Sequence, residues 1–185
     1  GVVSKAVIKN FEDRNGNKDV TLFDSSTQSL NFALAAKNVN INTADLYFTP
    51  SNQTDSTVTM TAEAGVGKAL VINYVLDKDY ILHTKMQAIG LANDFAPSTT
   101  QMDVQWKDLA RQQERGFTFE NRYASLTYHK TDGGTDYLSE AKNVKDETVE
   151  KKIDWVAFKN QFFSAVMIAK SDFAENSQMT SIPQE

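Results

Sequence analysis

The sequence predicts a mostly β, antiparallel sandwich with little helix. Three observations carry this reading. Apolar and polar residues alternate with a period of two in segment after segment, tight-turn signals separate those segments, and few stretches show helical spacing. Short strands joined by tight turns are the mark of stacked antiparallel sheets.

In chain order, Val3, Val7 and Phe11 share a face with Lys5 and Lys9. Asn15-Gly16, a pair that tolerates positive φ, turns this run into a second one at Val20 to Asp24. Leu30, Phe32 and Leu34 alternate with smaller residues. Thr57, Thr59, Thr61 and Glu63 alternate with Val58, Met60 and Ala62, as in a half-buried strand. Gly65-Val66-Gly67 turns that strand into Ala69 to Leu76. Asp77-Lys78-Asp79 then turns into Tyr80 to Leu91, with Tyr80, Leu82, Met86 and Ala88 on one face. Trp106, Leu109, Ala110 and Gln113 read as a turn or two of helix. Arg122 to Lys130 alternates with Ala124, Leu126 and Tyr128 inward, and Asp132-Gly133-Gly134 closes it. Asn143 to Lys152 is polar and charged and reads as a solvated loop or a short helix. Ile153 to Ala169 is apolar on both faces toward its end, the pattern of a strand buried between layers. Thr180 to Glu185 reads as a trailing tail, where Pro183 ends any element.

With 185 residues, no linker and no convincing internal repeat, a single domain over 1–185 is expected. The 24 acidic and 19 basic side chains give a net charge of -5 without a basic patch, which argues against nucleic acid. The chain has no Cys, which excludes disulfides, thiolate metal sites and cysteine catalysis. The longest run dominated by apolar residues, Phe162 to Ala169, is far short of the ~20 residues needed to cross a bilayer. A membrane anchor is therefore expected outside this sequence.

Several motifs resemble chemical sites. Asp13, Asn15, Asn17, Asp19 and Asp24 occupy the ligand spacing of a calcium loop, but Lys18 stands where that loop needs Gly. A hairpin turn is the reading there. Gly65-Val66-Gly67-Lys68 lacks the earlier Gly and the following Ser or Thr of a phosphate loop, so it too reads as a hairpin. His83 and His129, the only histidines, fall on the polar faces of separate strands. No catalytic constellation, metal site or cofactor site is expected. Aromatic residues remain as candidates for a groove or partner contact: Trp106, Tyr123, Tyr128, Trp155 and Phe158. In a sandwich such residues are more often core than platform.

Trp155-Val156-Ala157-Phe158-Lys159-Asn160-Gln161-Phe162-Phe163-Ser164-Ala165-Val166 resembles a segment of the large periplasmic domain of YidC-type membrane protein insertases. Gln112-Gln113-Glu114-Arg115-Gly116, Phe119-Glu120-Asn121-Arg122-Tyr123, Leu126-Thr127-Tyr128 and Leu138-Ser139-Glu140 resemble its Bacteroidetes form. Ala169-Lys170-Ser171 departs from the proteobacterial pattern, which places Pro there. The resemblance implies an antiparallel β-supersandwich similar to galactose mutarotase, at the periplasmic face of the inner membrane. It implies an accessory, non-enzymatic domain that docks partners or acts like a chaperone while inner-membrane proteins insert and fold. SecD and SecF of the Sec translocon and nascent inner-membrane proteins are the implied partners. The membrane anchor, the transmembrane core and further strands of the domain are expected outside this sequence.

Two other readings stand beside this one. A carbohydrate-binding or aldose-epimerase-like domain follows from the implied fold alone, and it needs a carboxylate and a His facing each other across a sugar. A generic envelope scaffold domain has the same secondary structure and lacks only the local motifs.

Overall fold

The computed structural model describes residues 1–37, 39–139 and 143–183; Glu140 of the Leu138-Ser139-Glu140 motif and Gln184 and Glu185 of the expected tail lie outside the described residues. The strands run β1 (Ala6–Glu12), β2 (Lys18–Phe23), β3 (Gln28–Ala35), β4 (Asn40–Asn42), β5 (Thr49–Ser51), β6 (Thr57–Glu63), β7 (Ala69–Leu76), β8 (Leu82–Ile89) and β9 (Asp103–Asp108). A short helix α1 (Phe117–Asn121) precedes β10 (Ser125–Lys130), β11 (Thr135–Ser139), β12 (Lys145–Val149), β13 (Ile153–Lys159), β14 (Ser164–Phe173) and β15 (Ser177–Ser181). Every pairing with a described register is antiparallel. The mostly β, antiparallel class is therefore the observed one.

The chain forms two compact units, Gly1–Ser4 with Ser29–Lys107 and Lys5–Gln28 with Asp108–Glu185. The first unit holds the sheets β4-β3-β9 and β5-β6-β7-β8. Strict alternation on β7 buries Leu70, Ile72 and Tyr74, and the β6–β7 ladder runs from Thr57↔Val75 to Glu63↔Ala69 without a slip. The Tyr74 hydroxyl donates to the Gly1 carbonyl at 2.9 Å, and burial pushes its phenol up to about 12. The Gly65–Gly67 motif is a hairpin turn, as its sequence indicates. Its neighbour Gly90 is held at φ +64, with space for a Cβ only 2.2 Å from the Gly67 carbonyl oxygen, so only Gly fits. A 3-10 turn at Thr43–Asp45 is tied to β3, because buried Thr43 accepts the Phe32 N–H on its hydroxyl at 2.9 Å.

Trp106 corrects the sequence reading. It lies on strand β9 rather than in a helical turn, and the helix forms later, at Phe117–Asn121. Alternation through Asp103–Asp108 leaves Val104 and Trp106 half-buried on one face, and that period-two signal outweighs the helical spacing of Trp106, Leu109 and Ala110.

In the second unit, β1 and β2 form the expected hairpin. The Asp13 carboxylate clamps its turn by accepting the Asn15 and Asn17 N–H groups at 2.8 and 2.9 Å. Asp19, another residue at calcium-loop spacing, pairs instead with Lys9 at 2.7 Å. The main sheet has the order β11-β10-β13-β14, and a two-stranded ribbon β12-β15 packs its Val149 and Met179 against the inner face. Leu126, Tyr128, Leu138 and Ile153 complete that core, with Val156, Phe158 and Phe173 at its edge.

Three further expectations change here. Asn143 to Lys152 contains a strand, since Val149 is buried and Lys145–Val149 pairs with Ser177–Ser181. The same pairing makes Thr180 and Ser181 part of β15 rather than a tail. Ile153 to Ala169 is two strands with a turn at 160–163, and β14 lies at the sheet edge with Val166 and Ile168 exposed, not buried between layers.

Asp108 is shielded, its Oδ1 buried without a hydrogen-bond partner among the described residues, and burial pushes its carboxyl up to about 6. A raised folded pKa favours the protonated fold, so this contribution is full below the ordinary value near 3.8 and is lost as pH rises through about 6. Asp108→Asn is expected to gain about 1–2 kcal/mol at neutral pH, allowing for partial exposure, and nothing near pH 4, measured by urea denaturation. The chain passes between the units three times, so neither unit is one continuous segment, and one cooperative transition is expected. Each unit holds one Trp. In each of Trp155→Phe and Trp106→Phe the fluorescence midpoint of the remaining Trp should coincide with that same variant's far-UV circular dichroism midpoint, and a separation within one variant would mean two domains.

Candidate partner-docking face

The second unit's main sheet packs its core on one side, while the other side is exposed at its edges and half-buried to buried along its middle, where Ala157 is 5% exposed. Opposite residues in an antiparallel ladder share a face, so the registers assign each side chain. Leu138, Leu126, Phe158 and Ala165 form one row of the inner face, and Tyr128, Val156 and Met167 the next. The outer face carries Tyr137, Thr127, Ala157 and Val166 in one row, then Thr135, His129, Trp155 and Ile168 in the next. Tyr137 is 63% exposed and Ile168 68%, far above what an aromatic or β-branched residue shows in a packed core.

A bulge sets the chemistry of this face. His129 opposes Trp155, yet the next residue, Lys130, opposes Ile153, so Asp154 is the extra residue on β13. In a regular ladder Ile153 and Trp155, two residues apart, would point the same way. With the bulge, Ile153 is fully buried while Trp155 stands on the outer face. The extra residue also brings Asp154 Oδ1 to 2.9 Å from His129 Nδ1. The His129 ring lies parallel to the Trp155 indole, with centroids 5.9 Å apart and planes 8° from parallel. The result is a flat aromatic step with an acid at its rim.

The five aromatic candidates fall into different surroundings. Tyr128 is completely buried, and its hydroxyl donates to Glu147 Oε1 at 2.6 Å. Burial, and then that hydrogen bond, hold its phenol above its ordinary range. Phe158 packs beside the same core. Trp155 occupies the outer face. Tyr123 follows α1, exposed and edge-to-face with Phe119 at 5.5 Å. Trp106 belongs to the first unit. Sequence reasoning missed Tyr137, Val166 and Ile168. Alternation alone puts Val166 and Ile168 on one face of their strand, but only the registers through Thr127 and Ala157 place that face with Tyr137.

The first unit offers an open groove of about 380 Å³ at the end of the β5-β6-β7-β8 sheet, lined by Pro50, Met60, Tyr74, Leu76 and Leu82 among others. Its lining includes Asp55 but neither His, so it holds no His–carboxylate pair for acid–base chemistry on a sugar. His83 bonds Asp77 at 3.0 Å and His129 bonds Asp154, which commits each ring to its own turn or strand. Among the described residues no group of three or more acidic or His side chains is placed to hold a metal ion, and no helix is long and apolar enough to cross a membrane.

The face and the core make opposite demands on their residues. Ile168→Ser is expected to change stability by less than about 1 kcal/mol, whereas Tyr128→Ala should cost about 3–5 kcal/mol, both read from chemical denaturation.

Comparison with known proteins adds the family. The family model of the YidC periplasmic domain matches residues 1–184. A "Membrane protein insertase YidC" from Phocaeicola vulgatus is 43% identical over 186 residues, covering 100% of this chain and 30% of that protein. Its counterpart from Bacteroides fragilis is 41% identical over 174 residues, 94% of this chain and 28% of that protein. The one from Parabacteroides distasonis is 35% identical over 176 residues, with the same coverage of 94% and 28%. The chain therefore spans less than a third of the length of these relatives. No solved structure matches.

Proposed function

The chain belongs to the YidC periplasmic domain family, and from that premise we propose that it is a non-catalytic docking module of a membrane protein insertase, working through the outer face of the β11-β10-β13-β14 sheet. Its location is the periplasmic face of the inner membrane. The observation that carries the role is the exposure of Tyr137, Val166 and Ile168 beside the His129–Trp155 step on one sheet face. Tyr137 stands at one edge of this face and Val166 and Ile168 at the other, and large apolar side chains left exposed on one face favour partner contact. Tyr and Trp are favoured anchors because each offers a large apolar area and a polar tip at little entropic cost.

Nascent inner-membrane proteins and the SecD and SecF subunits of the Sec translocon are the partners this role calls for. A segment leaving the translocon exposes apolar side chains and unpaired backbone, and edge strand β14 offers both an apolar stripe and free backbone hydrogen-bonding groups. Holding such a segment in an extended form is chaperone-like work and needs no cofactor. The carbohydrate reading gains little from the groove in the first unit, which lacks a His–carboxylate pair.

Site-specific photocrosslinking in the full-length insertase tests the role. Probes at Tyr137, Lys159, Val166 and Ile168, one at a time, are expected to form adducts with SecD, SecF or an emerging membrane protein, while a probe at Lys85 in the first unit forms few. Adducts from Lys85 alone, or none from the four face positions while insertion proceeds, would sink this assignment.

A further inference from the structure

Strand β8 ends the β5-β6-β7-β8 sheet of the first unit, and every residue of it except half-buried Met86 is exposed. Hydrogen bonds of the neighbouring strand fix which way its backbone points. Leu76 N–H donates to the Ser56 carbonyl at 2.7 Å and Ala64 N–H to the Lys68 carbonyl at 2.9 Å, so the even-numbered residues of β7 bond β6. Asp77 N–H donates to the Ile81 carbonyl at 3.0 Å, so the odd-numbered ones bond β8. On β8 itself His83, Lys85, Gln87 and Ile89 therefore face β7. Leu82, Thr84, Met86 and Ala88 turn their N–H and C=O groups to the open side, where no described strand pairs with them. Nothing blunts this edge. The ladder with β7 runs from Ala69↔Ile89 to Leu76↔Leu82 without a slip, and the strand has no Pro and a single Lys, Lys85.

The side chains of β8 complement those of a second β8. Two copies related by a two-fold axis perpendicular to the sheet pair antiparallel, keep their inner faces on one side and set even residues opposite even ones. Three central alignments satisfy the backbone, and side chains separate them. Centring on Lys85 puts it opposite the partner's Lys85, a repulsive pair. Centring on Met86 puts Lys85 opposite the partner's Gln87 and Thr84 opposite the partner's Ala88, which gains no charge or hydroxyl pairing. Centring on Thr84 brings the two Thr84 hydroxyls together and sets Leu82 opposite the partner's Met86, and the reverse. It also sets Lys85 opposite the partner's His83. His83 Nε2 lies 3.0 Å from Asp77 Oδ2, so a carboxylate stands behind that ring. Lys85 forms no ion pair among the described residues of its own copy, and Asp77 pairs with no Lys or Arg.

We propose that β8 pairs with β8 of a second copy of this chain, centred on Thr84, and joins two four-stranded sheets into one. The alignment forms roughly six backbone hydrogen bonds, two for each hydrogen-bonded pair, and ends where Tyr80 turns away at φ 63. A second copy is favoured over an unrelated extended segment because the strand carries both halves of each cross-strand pair: Thr with Thr, Leu with Met, and Lys with the His–carboxylate couple. A contact of this size is weak in solution, and confinement of copies at the inner membrane raises their effective concentration.

The chain has no Cys, so single thiols read the alignment. Thr84→Cys places two thiols at the axis, where Cα atoms of a hydrogen-bonded pair lie about 5.5 Å apart, and is expected to oxidise to a covalent dimer. The thiols of Met86→Cys stand about 14 Å apart in this alignment and those of Gln87→Cys about 20 Å, and neither should link. In sedimentation equilibrium the wild-type chain is expected to dimerise at about 0.1–1 mM. Thr84→Pro removes an outward N–H without taking a bond from β7, and should weaken dimerisation about tenfold or more. Lys85→Glu sets a carboxylate beside the partner's Asp77 and should weaken it about threefold or more. Circular dichroism checks that each variant folds, and Lys85→Glu, at an exposed side chain, carries the test if Thr84→Pro does not. A wild type that stays monomeric at about 1 mM, a dimer that folded Thr84→Pro or Lys85→Glu leaves intact, or thiols that link at Met86 or Gln87 but not at Thr84 would overturn the proposal. Crosslinks from Tyr137 or Ile168 test the sheet face of the second unit independently, so either assignment can fail without the other.

Discussion

Complete burial of Tyr128 with its hydroxyl still bonded to Glu147 organises the second unit. A buried phenol without a partner costs free energy comparable to a lost hydrogen bond, so the hydroxyl must reach an acceptor on the ribbon that covers the sheet. Glu147 lies on β12, and β12 pairs with β15, whose Met179 joins Val149 in the same core. The ribbon therefore closes one face of the β11-β10-β13-β14 sheet. Nothing comparable covers Tyr137, Val166 and Ile168 on the other face. Core and exposed face are the two sides of one alternation, and the polar bond on the core side ties the sheet to its covering ribbon.

That alternation made much of the fold legible in the sequence. The boundaries 57–63 and 69–76 follow from Thr/Val periodicity and the Gly65–Gly67 turn, and both hold in the structure. The Asn15-Gly16 hairpin and the inward set Ala124, Leu126 and Tyr128 hold as well. The missed elements share a physical cause, since each depends on a partner distant in sequence. Lys145–Val149 carries charged residues, and only its pairing with Ser177–Ser181 makes it a strand. Phe162 to Ala169 is apolar enough for a buried strand, but an edge position, which local composition cannot reveal, exposes half of it. The bulge at Asp154 reverses the expected phase of Ile153 and Trp155, and a bulge leaves no period of its own in the sequence.

Much less of the candidate site was legible. Trp155 and Phe158 look like neighbours on one short segment, yet three residues along a strand put them on opposite faces. Trp155 reaches the outer face, Phe158 packs beside the core, and the buried Tyr128 hydroxyl donates to Glu147. The motif match around residues 155–166 pointed to the family correctly while mixing core and face residues. Family motifs preserve the sheet as a whole, and both of its sides take part.

An exposed apolar edge invites uncontrolled association, and the way β14 avoids it bears on its use. The strand is ten residues long, but the ladder with β13 breaks between Ile153↔Phe173 and Trp155↔Ile168. Asp172, with φ 63, bends the strand just past Lys170, so its second half is charged and out of register with its first. Charges and irregularity are the means by which natural sheets blunt an edge. The unprotected stretch is only about half the strand, long enough to pair with a short extended segment and too short to template a sheet of copies. Such an edge suits pairing with a single extended strand rather than stacking of copies.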